Sequence, residues 1–266
     1  MAHEPVDFPA GKAANTLRGA CGAYVQTFQH EHEPRANCLP DSPRPFVFRA
    51  SHLDGKRVSA GEEFHFDLNV FQLSAAALTR VVRAFASLKS LGARRGRVEL
   101  REVWQLDQQH TPIVKFSEQQ PPPAVALNLH PTTEASRLRI RFLTPTELKS
   151  SNVVALQPEF GILAARVRDR LSLLAELYGS GPLAIDFRGF GERARGVYMT
   201  RCELRSVEVE RRSSRTGQRH PIGGFIGEAE YAGDLTEFVP YLRAAQWTGV
   251  GRQTVWGKGQ IAVTLL

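Results

Sequence analysis

No stretch of this 266-residue chain approaches the ~18 consecutive apolar residues of a membrane-crossing helix. Met1–Pro5 has neither the basic start nor the apolar core of a secretory signal, so a cytoplasmic chain without membrane attachment is expected. Cysteine is scarce. Cys21, Cys38 and Cys202 are far apart, odd in number and without a Cys-x-x-Cys spacing, which argues against a disulfide framework and fits a reducing compartment. There is no Gly-x-Ser-x-Gly elbow, no His-Glu-x-x-His and no carboxylate cluster at metal spacing. Serine-hydrolase and metalloenzyme chemistries are therefore disfavoured, and neither a metal nor another cofactor is expected. Lysine is also rare, at 6 residues against 28 arginines.

What is present is ordinary globular composition, 42% hydrophobic and 23% charged, with a net charge of +7. At this length roughly three-quarters of the unfolded surface can be buried without disulfides or metals, in one or two domains. The positive balance favours a polyanion. Guanidinium forks grip phosphate through two parallel hydrogen bonds and stack on bases, although a GC-rich genome alone would also enrich arginine over lysine.

Hydrophobic spacing organises the chain. Helical spacing runs from Asn15 to about Gln29, from Ala75 to Leu91 with Gly92 as its C-cap, from Phe160 to Tyr178 and from Thr236 to Trp247. Strand-like segments are 43–48, 63–70, 97–106, 138–143 closed by Pro145, 202–211, 225–231 and 260–265. Between the halves, 117–133 is proline-rich and lacks periodicity. The expected organisation is an N-terminal domain 1–118, a linker 119–135 and a C-terminal domain 136–266. Each half repeats the βαββαβ order. The fold class expected is therefore α+β, with tandem ferredoxin-like (RRM-like) units, the first strand of the N-terminal unit being short or missing.

Four features could carry chemistry. The run Gly249-Val250-Gly251-Arg252-Gln253-Thr254-Val255-Trp256-Gly257-Lys258-Gly259 joins a helix to the last strand. Its glycines allow close backbone approach, and successive N–H groups can cradle an anion; a tight connection at a sheet edge is the other reading. It is neither a Rossmann fingerprint nor a Walker A loop. A basic hairpin carries Arg211, Arg212, Arg215, Arg219 and His220, and a two-stranded ribbon of this kind can enter a nucleic-acid groove. Arg94 and Arg95 would extend the basic surface if the units pack side by side. Finally, His30 and His32 alternate with Glu31 and Glu33. Two imidazoles beside carboxylates suit proton transfer near neutral pH; with Cys38 they form only a weak metal pattern, and an exposed polar loop is the alternative. His52, His110 and His130 read as loop residues, and His65 as a structural residue within a strand.

In this order, Thr16-Leu17-Arg18-Gly19-Ala20-Cys21-Gly22, Pro43-Arg44-Pro45-Phe46-Val47, Phe142-Leu143-Thr144-Pro145-Thr146-Glu147-Leu148-Lys149, Ser214-Arg215, Gly223-Gly224-Phe225-Ile226-Gly227-Glu228, Gly233-Asp234-Leu235 and the run 249–259 resemble the CRISPR precursor-RNA-processing endoribonuclease family of the RAMP superfamily. The resemblance implies tandem ferredoxin-like domains and metal-independent cleavage of CRISPR repeat RNA. In that chemistry a ribose 2′-hydroxyl attacks the adjacent phosphate, leaving a 2′,3′-cyclic phosphate and a 5′-hydroxyl. The implied partners are precursor and mature CRISPR RNA and other CRISPR effector subunits, with a homodimer left open. Related proteins often carry His inside the first helix, where this chain has Ala23 followed by Tyr24. His30 lies two turns further along the same helical face. The expected catalytic set is His30 or His32 for proton transfer, Tyr24 as a helper and Arg18 or Lys12 at the phosphate. The expected RNA contacts are Gly249, Gly251, Arg252, Gly257, Lys258, Gly259, Arg94, Arg95 and the hairpin residues. The alternative is a non-catalytic RAMP subunit that only holds RNA.

Overall fold

The computed structural model describes residues 1–20, 43–120, 123–208, 210–212, 219–221 and 223–266. The chain divides into two compact units, Met1–Leu127 and Asn128–Leu266.

In the first unit the elements are β1 (Val6–Asp7), α1 (Ala13–Ala20), β2 (Phe46–Arg49), β3 (Arg57–Val58), β4 (Asp67–Val70), α2 (Ala75–Ala86), β5 (Ser90–Leu91), β6 (Gly96–Arg97), β7 (Trp104–Leu106) and β8 (Pro112–Lys115). Apart from the two-residue β3, which pairs with β1, the order through β5 is strand, helix, strand, strand, helix, strand. The opening strand is indeed short. The ladders are two-stranded, the longest being β2 on β4. Phe48 packs edge-on to Phe46 and Phe85, which brings α2 onto this pair. Ser74 caps α2 by accepting from the Ala77 amide. Asp54 does the same for α1 from a distance, accepting from the Ala13 amide at 2.8 Å. Burial raises the Asp54 carboxyl pKa, and the amides of Ala13 and Lys12 oppose that shift.

Three expectations need correction here. The second helix ends at Ala86 rather than Leu91, with Ser87 as its C-cap. Leu91 is apolar at helical spacing but belongs to β5, paired with Gly96. Gly92 is therefore not a helix cap; it turns β5 into β6 at φ +80°, where a Cβ would press on the Asp7 carbonyl. The segment 97–106 is not one strand, because the ladder lapses between β6 and β7. His65 precedes β4 rather than lying in it, and its ring stacks on His52 at 4.5 Å.

The second unit holds β9 (Arg137–Thr146), β10 (Lys149–Ser150), β11 (Val153–Val154), α3 (Phe160–Tyr178), α4 (Phe187–Arg195), β12 (Tyr198–Val207), β13 (Glu210–Arg212), β14 (Arg219–Pro221), β15 (Gly224–Ala232), α5 (Val239–Thr248) and β16 (Ile261–Leu265). Its four-stranded antiparallel sheet has the order β12-β15-β9-β16. With α3 and α5 as the crossovers, this is the complete ferredoxin-like topology. The chain is an α+β protein of tandem ferredoxin-like units, full in the second and abbreviated in the first.

One sheet face buries Leu138, Ile140 and Phe142 of β9 beside Ala229 and Tyr231 of β15 and Ile261 of β16. Against this core α3 turns Leu163, Val167, Leu171 and Leu174, spaced at i, i+4, i+8 and i+11. Phe160, Tyr231 and Phe238 interlock with ring centroids 5.1–5.2 Å apart. The Tyr231 hydroxyl donates to the Pro158 carbonyl at 2.7 Å, just ahead of α3.

Strand β9 runs through Pro145 instead of closing there. The proline lies beyond the β16 ladder, which ends at Phe142, and within the register shift of the β15 ladder, so no sheet bond requires its missing N–H. The last helix starts at Val239 rather than at Thr236, whose hydroxyl accepts from the Ala135 amide. Helix α4, in a segment without a clear apolar period, is held by Asp186 accepting from the Arg188 and Gly189 amides.

Candidate nucleic-acid interface

The sheet face opposite the core carries paired charges. Glu230 receives two hydrogen bonds from Arg139, at 2.6 and 3.0 Å, and lies near Arg137 and Arg201. The hydrogen bonds from Arg139 hold the Glu230 carboxyl below its ordinary pKa range. Arginine and glutamate fill the centre of this face where an RRM-type sheet stacks bases, and among the described strand residues its aromatic ring is Tyr198, opposite Ala232 at the start of β12. The loops at the sheet's ends therefore become the candidates for RNA contact.

The glycine-rich run has a defined fold. Helix α5 stops at Gly249, whose φ of +74° turns the chain off the helix axis. Half-buried Arg170 donates to the carbonyl of Thr248, the last helical residue, at 2.8 Å; its desolvation lowers its pKa to about 10. The loop then returns on itself, with the Val250 amide donating to the Gly259 carbonyl at 2.9 Å. Two more amides fasten it to the end of β9: Arg252 N–H to the Glu147 carbonyl and Gly259 N–H to the Pro145 carbonyl, both 3.1 Å. Thr254–Trp256 forms a 3₁₀ turn between Gln253 and Gly257, both left-handed. At Gly251 and Gly259, positive φ combines with a backbone carbonyl where a Cβ would stand, that of Glu147 or Val250. Only glycine meets both constraints.

The two cations of the loop part company. Lys258 is only 2% exposed. Its ammonium donates to the Gly223 carbonyl and to Gln253 Oε1, with Glu147 Oε2 at 3.9 Å. Arg252 is half-exposed and paired to Glu147 Oε1 at 2.8 Å. Because Gly223 stands between β14 and β15, Lys258 ties the loop to the root of the basic hairpin. The structure thus joins two features that sequence had kept separate. It does so through Glu147, Gln253 and Gly223, which sequence reasoning missed; each is ordinary in its local context.

Burial lowers the Lys258 pKa from 10.5 to about 8, with the nearby Glu147 charge opposing the shift. A lysine with a depressed folded-state pKa binds fewer protons in the native state than unfolded between those two values. Its charging thus costs stability below pH 8, and the cost fades as pH rises toward 10.5. The stability of the parent relative to Lys258→Met should accordingly improve between pH 8 and 10.5. Denaturant titrations of both proteins across that range test this, and a pH-independent difference would contradict it.

The remaining sequence-selected residues belong to other elements of the two units. In the hairpin, β13 and β14 pair Arg211 with His220 and Arg212 with Arg219, and Arg215 lies outside the described residues. Arg94 and Arg95 occupy the β5–β6 turn of the first unit; Arg94 sits 3.3 Å from Asp7, and Arg95 is exposed at φ +52°. Lys12 immediately precedes α1, and Arg18 lies in its last turn, half-buried. Tyr24, His30 and His32 lie outside the described residues. Among the described residues, no three His, Cys, Asp or Glu side chains gather as a metal site, and no helix is long and apolar enough to cross a membrane.

Residues 140–261, which span β9 through the glycine-rich loop into β16, match the family model of the CRISPR-associated endoribonuclease Cas6. This unit is therefore similar to the Cas6 family, whose members are described as CRISPR-associated endoribonucleases. Residues 7–125 match a second model, AF_1859_N, an N-terminal domain. Among solved structures, the product complex of Cas6 (TTHB231) aligns with a TM-score of 0.61 at 18% identity, covering 99% of this chain and 100% of that one. That relative is the Cas6 of Thermus thermophilus. A substrate mimic complex of Cas6 (TTHA0078) aligns at 0.53 and 17% identity, covering 99% and 96%. A partial Cas6-RT-Cas1–Cas2 complex aligns at 0.55 and 12%, covering 99% of this chain but 45% of that one. At these identities the structural likeness bears on fold alone. No curated protein matches the chain.

Proposed function

We propose that this chain cuts CRISPR repeat RNA within precursor transcripts, in the cytoplasm, without a metal ion. In this reading the 2′-oxygen forms a bond to the adjacent phosphorus as the bond to the 5′-oxygen breaks. A base removes the 2′-proton and an acid delivers one to the departing 5′-oxygen, leaving a 2′,3′-cyclic phosphate and a 5′-hydroxyl. His30 and His32 take the proton-transfer roles, Tyr24 assists, and Arg18 or Lys12 stabilises charge on the phosphate.

The observation that carries the reading is the fastened loop: a glycine-rich backbone held rigid by β9, presenting Arg252 at its surface and joined by Lys258 to the root of a basic hairpin. Such a surface grips phosphates without prior reorganisation. Its RNA contacts are Gly249, Gly251, Arg252, Gly257 and Gly259, with Lys258 setting the loop's position, and Arg211, Arg212, Arg215, Arg219 and His220 along the hairpin. Arg94 and Arg95 add a second basic turn.

The placement of Ala23 where related chains often carry His favours one rival, an RNA-holding subunit without chemistry. Incubation of the purified protein with repeat RNA in EDTA separates the two. Binding with cleavage is the expected outcome, and binding without cleavage would establish the rival. Co-purification with other CRISPR effector subunits, or as a homodimer, bears on partners and not on this distinction.

A further inference from the structure

A second basic feature of the C-terminal unit is independent of the glycine-rich loop. A cleft of about 740 Å³ opens between the first turns of α3, helix α4 and the first residues of β12, with β10 at its rim. Lys149, Arg166, Arg188 and Arg195 line it together with the rings of Phe187 and Tyr198. Its acidic members are Glu159 and Glu192. Glu192 is occupied by Arg188 at 2.9 Å, and Arg166 is drawn to Asp169 outside the cleft at 3.0 Å. No carboxylate in the described structure pairs with Lys149 or Arg195. The Arg195 stem lies against Gly161 at the start of α3, in the space a side chain would fill there.

The aromatic rings narrow the ligand class. Tyr198 is 63% exposed and Phe187 39%. The Phe187 ring is held by the guanidinium of Arg168, another residue of the cleft lining, 4.6 Å from its centroid, which itself donates to the Phe187 carbonyl at 2.7 Å. Exposed rings beside surplus cations are poorly suited to a purely ionic partner. They match an unpaired nucleic-acid strand, whose phosphates take the cations and whose bases stack on the rings. The volume falls in the range of small-ligand clefts, which suits a few unpaired nucleotides rather than a duplex.

We propose that this cleft binds a short unpaired RNA segment, with phosphates on Arg195 and Lys149 and a base on Tyr198. The proposal rests on the reading that the chain handles RNA, and adds a contact for RNA outside the segment that is cut. These residues hold no part of the assigned proton-transfer machinery or of the glycine-rich loop.

The test uses the full chain and two variants, Tyr198→Ala and Arg195→Ala, with Tyr198→Phe and Arg195→Lys as conservative controls. Fluorescence anisotropy measures binding of a labelled unstructured RNA octamer and of repeat RNA with and without single-stranded flanks. The alanine variants should weaken octamer and flanked-RNA binding by about tenfold, leaving trimmed-repeat affinity and the saturated cleavage rate unchanged. The conservative controls should recover most of the loss. Unchanged octamer affinity in both alanine variants would overturn the proposal. So would equal losses on flanked and trimmed RNA, or protection of the cleft by an acidic peptide but not by RNA. Because octamer binding does not depend on cleavage, failure of the nuclease reading and failure of this site are separately visible.

Discussion

Alanine at whichever of His30 and His32 carries the proton is expected to slow single-turnover cleavage of repeat RNA by roughly 10²–10⁴-fold. The dissociation constant for the same RNA should stay within about twofold, because the proposed phosphate contacts lie in the loop and the hairpin. Imidazole is the only side chain whose ordinary pKa lets it both accept and return a proton near neutrality. In a 2′-hydroxyl attack one group must do each. The two histidines, alternating with Glu31 and Glu33, are the one place in the sequence where two imidazoles lie this close. The pH–rate profile provides the second readout. The parent should show a dependence in the histidine range, and the affected variant should lose one limb of it. Full activity in both single variants would remove these residues from the mechanism and move attention to Tyr24 and to the described histidines of the first unit.

The second large effect is structural. Gly259→Ala should destabilise the second unit by about 2–4 kcal/mol and abolish tight RNA binding. Two penalties act together. Residue 259 sits at φ +68°, and its missing Cβ would occupy the position of the Val250 carbonyl oxygen. That carbonyl cannot withdraw freely, because the Val250 amide already donates to the Gly259 carbonyl and the Gly259 amide to Pro145. Relief therefore requires the loop to leave β9, carrying Arg252 and Lys258 with it. Denaturant unfolding and RNA titration of the variant measure both consequences. Gly61→Ala serves as a control, since Gly61 also has positive φ, +85°, but nothing within 4 Å of its Cβ position. A Gly259→Ala protein as stable as that control, with parental affinity, would contradict the account of the loop.

The sequence was most legible where packing is local. Helix α3 follows its apolar spacing from Phe160 to Tyr178 without error, since Pro158 precedes it and Gly179 ends it. Leu88 and Leu91 prolonged the apparent period of α2 because a helix and the strand after it can share apolar spacing across a turn. Helix α4 escaped notice because only Phe190 and Ala194 are buried in nine residues that include two glycines. At the candidate site, glycine and arginine marked the loop and hairpin, since their chemistry shows in composition. The inward course of Lys258 did not, because its partners Glu147 and Gly223 are brought together only by the β9–β15 pairing. The cleft beside Tyr198 was invisible for the same reason: Lys149, Arg166, Arg188 and Arg195 are spread over 47 positions and converge only in the fold.

The claim on which the rest depends is that the ribose beside the cut supplies the nucleophile. One synthetic repeat RNA carrying a single 2′-deoxy residue at the cut position tests it directly, compared with the unmodified RNA in EDTA under single-turnover conditions. The deoxy RNA should bind with unchanged affinity and remain intact, while the unmodified RNA yields a 2′,3′-cyclic phosphate and a 5′-hydroxyl. Cleavage of the deoxy RNA at that position would show that the attacking oxygen comes from elsewhere, and the mechanism would have to be abandoned.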